Sequence, residues 1–330
     1  MFGWQFHNRV KRSRAWLLGD SFIGHLRRAG NYVRRTWPGD DPVGDSSHQA
    51  VYVHYDREGV VHDYVIEQLR QLVAANFRIT FVTNARKLKE ASAAAVIPFC
   101  RQVIWRRNVG HDIGAYKDGI AALGDLGGCD RLLLMNDSVY GPFRPLAEVL
   151  SSIDSSQTDF WGITDSWDGH YHLQSYFIVF LKEALSSRVF RNFWRRLPYF
   201  SSKSAIIHNG EVRITQRLTQ QKLRAGVLCP YWDVAKAVLA KLEDRRPTDL
   251  APVHQAFLED LHRHLVLGTP LNPSHYFWET LITDFSCPFI KRDLVQKNPV
   301  AIVYAWRWAE VIALNSEYDL GLIRRHLQAN

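Results

Sequence analysis

The stretch Arg107-Asn108-Val109-Gly110-His111-Asp112-Ile113-Gly114-Ala115-Tyr116-Lys117 decides the fold. Before it runs the short apolar segment Gln102-Val103-Ile104-Trp105. After it Ile113, Tyr116, Ile120 and Leu123 recur at helical spacing. The pattern predicts a strand, a glycine-relieved loop and a helix beginning near Asp112. Glycine lets a backbone take positive φ and approach a ligand closely. A helix start aims N–H groups and the positive end of its dipole at an anion. Asp112 acting only as an N-cap, with glycines serving the turn, accounts for the same residues.

Working outward, 50–55 and 78–83 read as strands on either side of a helix carrying Val61, Val65, Leu69 and Leu72. Arg131-Leu132-Leu133-Leu134-Met135 is almost wholly apolar, as in a strand buried on both faces. Residues 160–164 and 175–180 read as later strands. Helices are expected over 184–196 and 211–225, the second capped by Gly226. The region after Pro230 reads as helical and loop-rich. The alternation predicts an α/β protein with a mostly parallel sheet flanked by helices and a mostly helical C-terminal part. Residues 1–48 read as a basic arm and linker, 49–235 as the α/β unit, and 236–330 as a helical region of the same globule. Ligands of such sheets bind at the carboxyl ends of the strands. Four polar groups fall there: Asp56, Asn84, the Asn108–Asp112 loop and Asn136–Ser138.

The 330 residues, 46% hydrophobic, suffice for a large core. The net charge of +8 is uneven, because residues 1–35 hold eight Lys and Arg against the single acid Asp20. The near-neutral remainder argues against a nucleic-acid groove. The arm's Trp4, Phe6, Trp16 and Phe22 point to an anionic membrane surface, a solvated arm being the alternative. No run of about 18 apolar residues is present, so no transmembrane helix is expected, nor is a signal peptide. Cys100, Cys129, Cys229 and Cys287 are widely spaced, as in a cytoplasmic protein with reduced thiols. The GxxxxGK[ST], HExxH, GxSxG and GxGxxG patterns are absent.

Asn136-Asp137-Ser138 ends a buried strand, with Asp137 as its one carboxylate. It suits either a divalent ion beside phosphates or a plain strand-end turn. Glu211 opens an expected helix, as a general base or as a first-turn acid. His172 and His275 lie among aromatics, where a histidine is most often structural.

In order along the chain, Tyr52-Val53-His54-Tyr55-Asp56, Asn108 through Lys117, Asn136-Asp137-Ser138-Val139-Tyr140-Gly141-Pro142, His172-Leu173-Gln174-Ser175-Tyr176-Phe177, and Asn272-Pro273-Ser274-His275-Tyr276-Phe277-Trp278 with Pro288-Phe289-Ile290-Lys291-Arg292 resemble the rhamnan synthesis protein F family. These are bacterial glycosyltransferases of surface-polysaccharide assembly. The resemblance covers residues 49–300 and implies an A-type glycosyltransferase fold, Rossmann-like. It implies inverting transfer of a sugar, L-rhamnose from a dTDP-activated donor or similar, to a lipid-linked glycan. The inner face of the plasma membrane would be the site, reached through residues 1–35.

The roles it implies follow residue by residue. Tyr55, Asp56 and Asn84 would meet the nucleotide. Asn108, Gly110 and Asp112 would lie near the diphosphate, with Asn136 and Ser138. Asp137 would hold Mg²⁺ or Mn²⁺. Glu211 would be the base; Asp165 and Asp168, near an expected strand end, are reserve candidates from position alone. His172, Gln174, His275 and Trp278 would contact acceptor or sugar. Asn136 and Ser138 stand where related enzymes carry carboxylates, and Val212 follows Glu211 where a second acid is usual. A non-catalytic carbohydrate-binding or scaffold protein is the competing reading.

Overall fold

The computed structural model describes residues 30–244 and 251–329. Its elements begin β1 (Val33–Pro38), β2 (His48–His54), α1 (Asp63–Ala74), β3 (Arg78–Thr83), α2 (Glu90–Val96), β4 (Cys100–Arg106), α3 (His111–Leu123), β5 (Arg131–Asn136), β6 (Val139–Tyr140) and α4 (Leu146–Ser151). Next come β7 (Phe160–Ser166), β8 (His172–Leu173), β9 (Phe177–Leu181), α5 (Lys182–Ser186), α6 (Arg188–Arg196) and α7 (Lys203–Ile206). A π-turn at Ile207–Val212 leads into α8 (Arg213–Gln220). Then follow β10 (Ala225–Cys229), α9 (Tyr231–Glu243), α10 (Pro252–Val266), α11 (Pro273–Tyr276), α12 (Trp278–Thr283), β11 (Ile290–Lys291), α13 (Arg292–Lys297), α14 (Trp308–Asn315) and α15 (Leu320–Gln328).

The main sheet runs β1-β4-β3-β2-β5-β9-β7-β10, with β8 on β7. β4, β3, β2 and β5 are mutually parallel, and β10 is parallel to β7. β9 is antiparallel to both β5 and β7, and β1 is antiparallel to β4. Six strands therefore point one way, and their carboxyl ends share one edge. Because β9 runs in reverse, its start delivers the Gln174–Tyr176 segment to that same edge.

The α/β expectation holds, with a helical C-terminal part. Period-two alternation explains the layers. Ala50 and Tyr52 of β2, with Leu133 and Met135 of β5, enter one core; Val51 and Val53, with Leu132 and Leu134, enter the other. All four cysteines are buried and unbridged.

Three local expectations change. Val33–Pro38, assigned to arm and linker, is an edge strand registered on β4, and Arg34 lies over the Trp105 ring at 4.9 Å. Residues 1–29 of the expected membrane arm lie outside the described residues. Gly226 does not cap a helix, since it pairs with Trp161 inside β10. The preceding helix ends at Gln220, where Lys222 turns the chain at φ +63°. Among the described residues, no helix is long and apolar enough to cross a membrane.

Candidate functional site

A cavity of about 510 Å³ opens at the carboxyl edge, lined in part by Asp112, Asn136, Ser138, His172, Gln174 and Glu211. The C-terminal part adds Asn272, His275, Lys291, Arg292 and Asp293, and Lys203 joins from the start of α7.

Arg106, fully buried at the end of β4, builds the first wall. Its guanidinium donates to Asp118 Oδ2 at 2.6 Å, Asn84 Oδ1 at 2.5 Å and Val109 O at 2.7 Å. The 107–112 loop is thereby held against α3. Gly110 takes φ +80°, and a Cβ on Gly114 would lie 2.4 Å from Val109 O. These glycines serve loop-to-helix closeness. Asn84 accepts from Arg106, donates to the carbonyl of His111 and is buried outside the cavity lining, so the structure does not bring it to the cavity. Asn108 is exposed outside the lining and Gly110 faces Tyr199. Only Asp112 of this loop's expected contacts reaches the cavity. It is not a side-chain cap, because the cap position is Gly110. Burial, then the charge of Asp137, raises the Asp112 carboxyl to about 6 against the pull of Arg292 and Lys291.

The second wall is the Asn136–Gly141 loop. Gln68 of α1 donates to the carbonyls of Val139 and Gly141 at 2.9 and 3.1 Å, and Tyr52 OH donates to Gln68. From the other side β11 pairs antiparallel with β6, and Arg292 N–H donates to Ser138 O at 2.9 Å. Gly141 has φ +121°, and a Cβ there would lie 2.2 Å from Pro288 O. Close apposition of these two segments carries Lys291 and Arg292 into the cavity.

Asp137 departs from its expected role. It is 4% exposed, and its Oδ2 accepts Arg292 Nη1 at 2.9 Å and the Tyr55 N–H at 3.1 Å. The same Nη1 also donates to the Tyr64 hydroxyl oxygen at 2.7 Å. A divalent ion does not fit this donor set. The carboxylate already has a guanidinium counter-ion, and its neighbours Asn136 and Ser138 are neutral. Among the described residues no group of three or more His, Cys, Asp or Glu is placed to hold a metal. Lys291 Nζ stands 3.5 Å from Ser138 Oγ and 4.3 Å above the Tyr176 ring. Burial lowers its pKa, and Glu211, Asp293 and Asp112 oppose that.

Glu211 lies in the π-turn, ahead of the helix it was expected to open. Its Oε1 accepts the Ser175 N–H at 2.9 Å and stands 3.9 Å from His172 Nε2. A single π-turn at a site is a recurrent way to re-aim a side chain. The first-turn explanation fails, since Glu211 precedes the helix that begins at Arg213. His172 Nδ1 lies 2.7 Å from His170 O, so the ring donates there and presents Nε2 to Glu211.

Other expected residues serve structure. Asp56 Oδ1 accepts the N–H groups of Glu58 and Val60, both at 2.9 Å, closing its own turn. Burial opposes ionisation there, but the His62 and Val60 bonds prevail and lower its pKa. Tyr55 and Asp56 stand outside the lining, and Trp278 is buried in the core. Gln174 lines the cavity but is engaged by Thr164, Ser274 and Asn272. His275 Nε2 meets Asp293 Oδ1 at 3.1 Å.

Asp165 Oδ1 accepts the Tyr231 N–H at 2.6 Å, outside the cavity lining. It pins α9 to the end of β7. Burial raises it from 3.8 to about 6. Between those values the folded protein holds a proton that the unfolded chain releases, so stability falls as pH rises through the window. Asp165→Asn retains an oxygen acceptor without the charge. Urea titration of both proteins should show the variant gaining about 2 kcal/mol over wild type between about pH 4 and about pH 7.5. A pH-independent difference would contradict the assignment.

The fold and cavity define an α/β protein with a polar, cation-bearing site at the carboxyl edge of a mostly parallel sheet. Residues 79–236 match the model of the rhamnan synthesis protein F family, the family its motifs resemble. The uncharacterized protein y4gN of Sinorhizobium fredii is 29% identical over 233 residues, covering 67% of this chain and 59% of that relative. Virulence protein VirA of Vibrio anguillarum is 28% identical over 225 residues, covering 67% of this chain and 70% of that protein. The match thus spans 59% of the length of the first relative. The mannosyltransferase PcManGT from Pyrobaculum calidifontis, solved with GDP-Man and Mn²⁺, aligns over 96% of this chain and 93% of its own, at 10% identity and a TM-score of 0.37. The galactosyltransferase LgtC, solved with donor and acceptor sugar analogs, aligns over 82% of this chain and 98% of its own, at 15% identity and a TM-score of 0.33. Superpositions this loose transfer no residue role.

Lys291 and Arg292 are among the residues that carry the family resemblance but receive no role there, and Asp293 follows them directly. The available signal was three consecutive charges directly after the apolar Pro288-Phe289-Ile290.

Proposed function

We propose that this protein is an inverting glycosyltransferase of the A-type class. It moves a sugar, L-rhamnose in the first instance, from a nucleoside-diphosphate donor to a growing polysaccharide at the inner face of the plasma membrane. One arrangement supports this reading: a carboxylate, Glu211, and a cation pair, Lys291 and Arg292, line one cavity at the strand ends.

In a single displacement the acceptor hydroxyl attacks the anomeric carbon as the bond to the diphosphate breaks. The carbon is inverted, the hydroxyl proton passes to Glu211, and the electron pair leaves on the diphosphate oxygen. Lys291 meets the charge that grows there while Arg292 balances Asp137 beside it, and interactions stronger in the transition state than with bound donor raise the rate. Asp112 and Asn136 line the same cavity, and in this reading they accept from and donate to sugar hydroxyls.

Asn136 and Ser138 in place of acids favour the second reading, a non-catalytic carbohydrate-binding protein. Calorimetric titration with dTDP-, UDP- and GDP-sugars in EDTA tests donor use, and release of nucleoside diphosphate on adding glycan tests turnover. Binding of one donor together with turnover is the expected result. Binding without turnover selects the second reading, and no binding with or without Mn²⁺ removes the enzyme.

A further inference from the structure

The β7–β8 hairpin stands on the rim of the cavity, with Ser166, Asp168 and His172 in the lining. Between them Trp167 is 39% exposed, and Trp232, in the first turn of α9, is 40% exposed. Their ring centroids lie 6.0 Å apart, and the Tyr171 centroid lies 5.1 Å from that of Trp167. The pairing is built, because the Asp165 bond to the Tyr231 N–H fixes the helix that carries Trp232 to the strand that leads into Trp167. Large aromatic rings left in water at a cavity mouth lack the burial that usually justifies them.

We propose that Trp167, Trp232 and Tyr171 form a subsite for the acceptor glycan, on which sugar rings lay their C–H faces while Asp168 and His170 meet the hydroxyls. This deepens the glycosyltransferase reading and rests on it. The surrounding chemistry selects the occupant. The segments 166–172 and 230–235 contain no Lys or Arg, and they carry Asp168 and Asp233. An anionic membrane surface would be repelled by that rim, whereas a neutral polyhydroxyl chain has acceptors to donate to. Ser166 and Asp168, which flank Trp167, line the same cavity as Glu211, so a glycan resting on the rings borders the cavity that holds the base.

The test uses the full chain and linear oligosaccharides of rhamnose, glucose, galactose and mannose, three to five units long, read by intrinsic tryptophan fluorescence and by transfer kinetics. One series should perturb the fluorescence. Trp167→Leu with Trp232→Leu should abolish that change and raise the acceptor KM about tenfold or more, with kcat changed less, and Trp167→Phe should recover most of the loss. Circular dichroism confirms folding, and the substitutions lie at exposed positions. Three results would each overturn the subsite: no oligosaccharide perturbing the fluorescence, an unchanged KM in the double variant, or binding to phosphatidylglycerol vesicles lost in that variant while glycan binding persists. Calorimetry with nucleoside diphosphate on the same wild-type sample separates failure of the subsite from failure of the enzyme reading.

Discussion

Glu211→Gln should bind nucleotide sugar as wild type does and transfer it about 10³-fold more slowly, the scale of losing a positioned general base. Glutamine keeps the side-chain oxygen that accepts the Ser175 N–H, so the π-turn and the β9 approach are conserved. What disappears is the capacity to take a proton from the acceptor hydroxyl. The positional case has three parts. The carboxylate lines the cavity, one of its oxygens is tethered by a backbone donor, and His172 Nε2 stands 3.9 Å from that oxygen. Donor affinity by calorimetry and transfer rate by nucleoside-diphosphate release separate binding from chemistry. Turnover within tenfold of wild type would assign the proton elsewhere. Asp168 is then the next residue, because it lines the cavity while Asp165 is spent on the Tyr231 N–H.

The strands were legible because their patterns are local. The apolar run at 131–135 and the alternation at 50–54 each carry their own signal. The edge to which the polar groups would gather followed from parallel topology, and Asp112, Asn136, Ser138, His172, Gln174, Glu211 and His275 do line one cavity. What the pattern did not give is which groups engage these side chains. Asp56, Asn84 and Asp137 end strands at the expected edge, yet each is engaged by a group that periodicity cannot reveal: a turn two to four residues on, buried Arg106, and Arg292 from 155 positions away. A polar residue at a strand end reports location; whether its atoms remain free for a ligand depends on which chain segment packs behind it. The β11–β6 pairing is only two residues long, below what alternation can signal, and it decides which charges face the cavity.

Lys291→Met should reduce transfer about 10²- to 10³-fold and weaken nucleoside-diphosphate binding about tenfold, in EDTA and in Mn²⁺ alike. The argument begins with charge. A departing diphosphate needs positive charge held in place before reaction, because a cation already oriented in a water-poor site costs no reorganisation when the bond breaks. At the position where a metal was expected, Asp137 is neutralised by Arg292, which leaves Lys291 as the cation whose ammonium borders Ser138 and the Tyr176 ring. Arg292 is the poorer probe. Its removal strands the Asp137 carboxylate, 4% exposed, without a partner, and a buried charge left alone costs about 3–5 kcal/mol of stability. Methionine at 291 retains the length and apolar stem of lysine and should leave the β11 pairing intact, so a loss of rate reads on the ammonium. Turnover that vanishes in EDTA and returns with Mn²⁺, or a Lys291→Met enzyme within threefold of wild type, would hand the leaving group to a metal and leave the lysine a structural role.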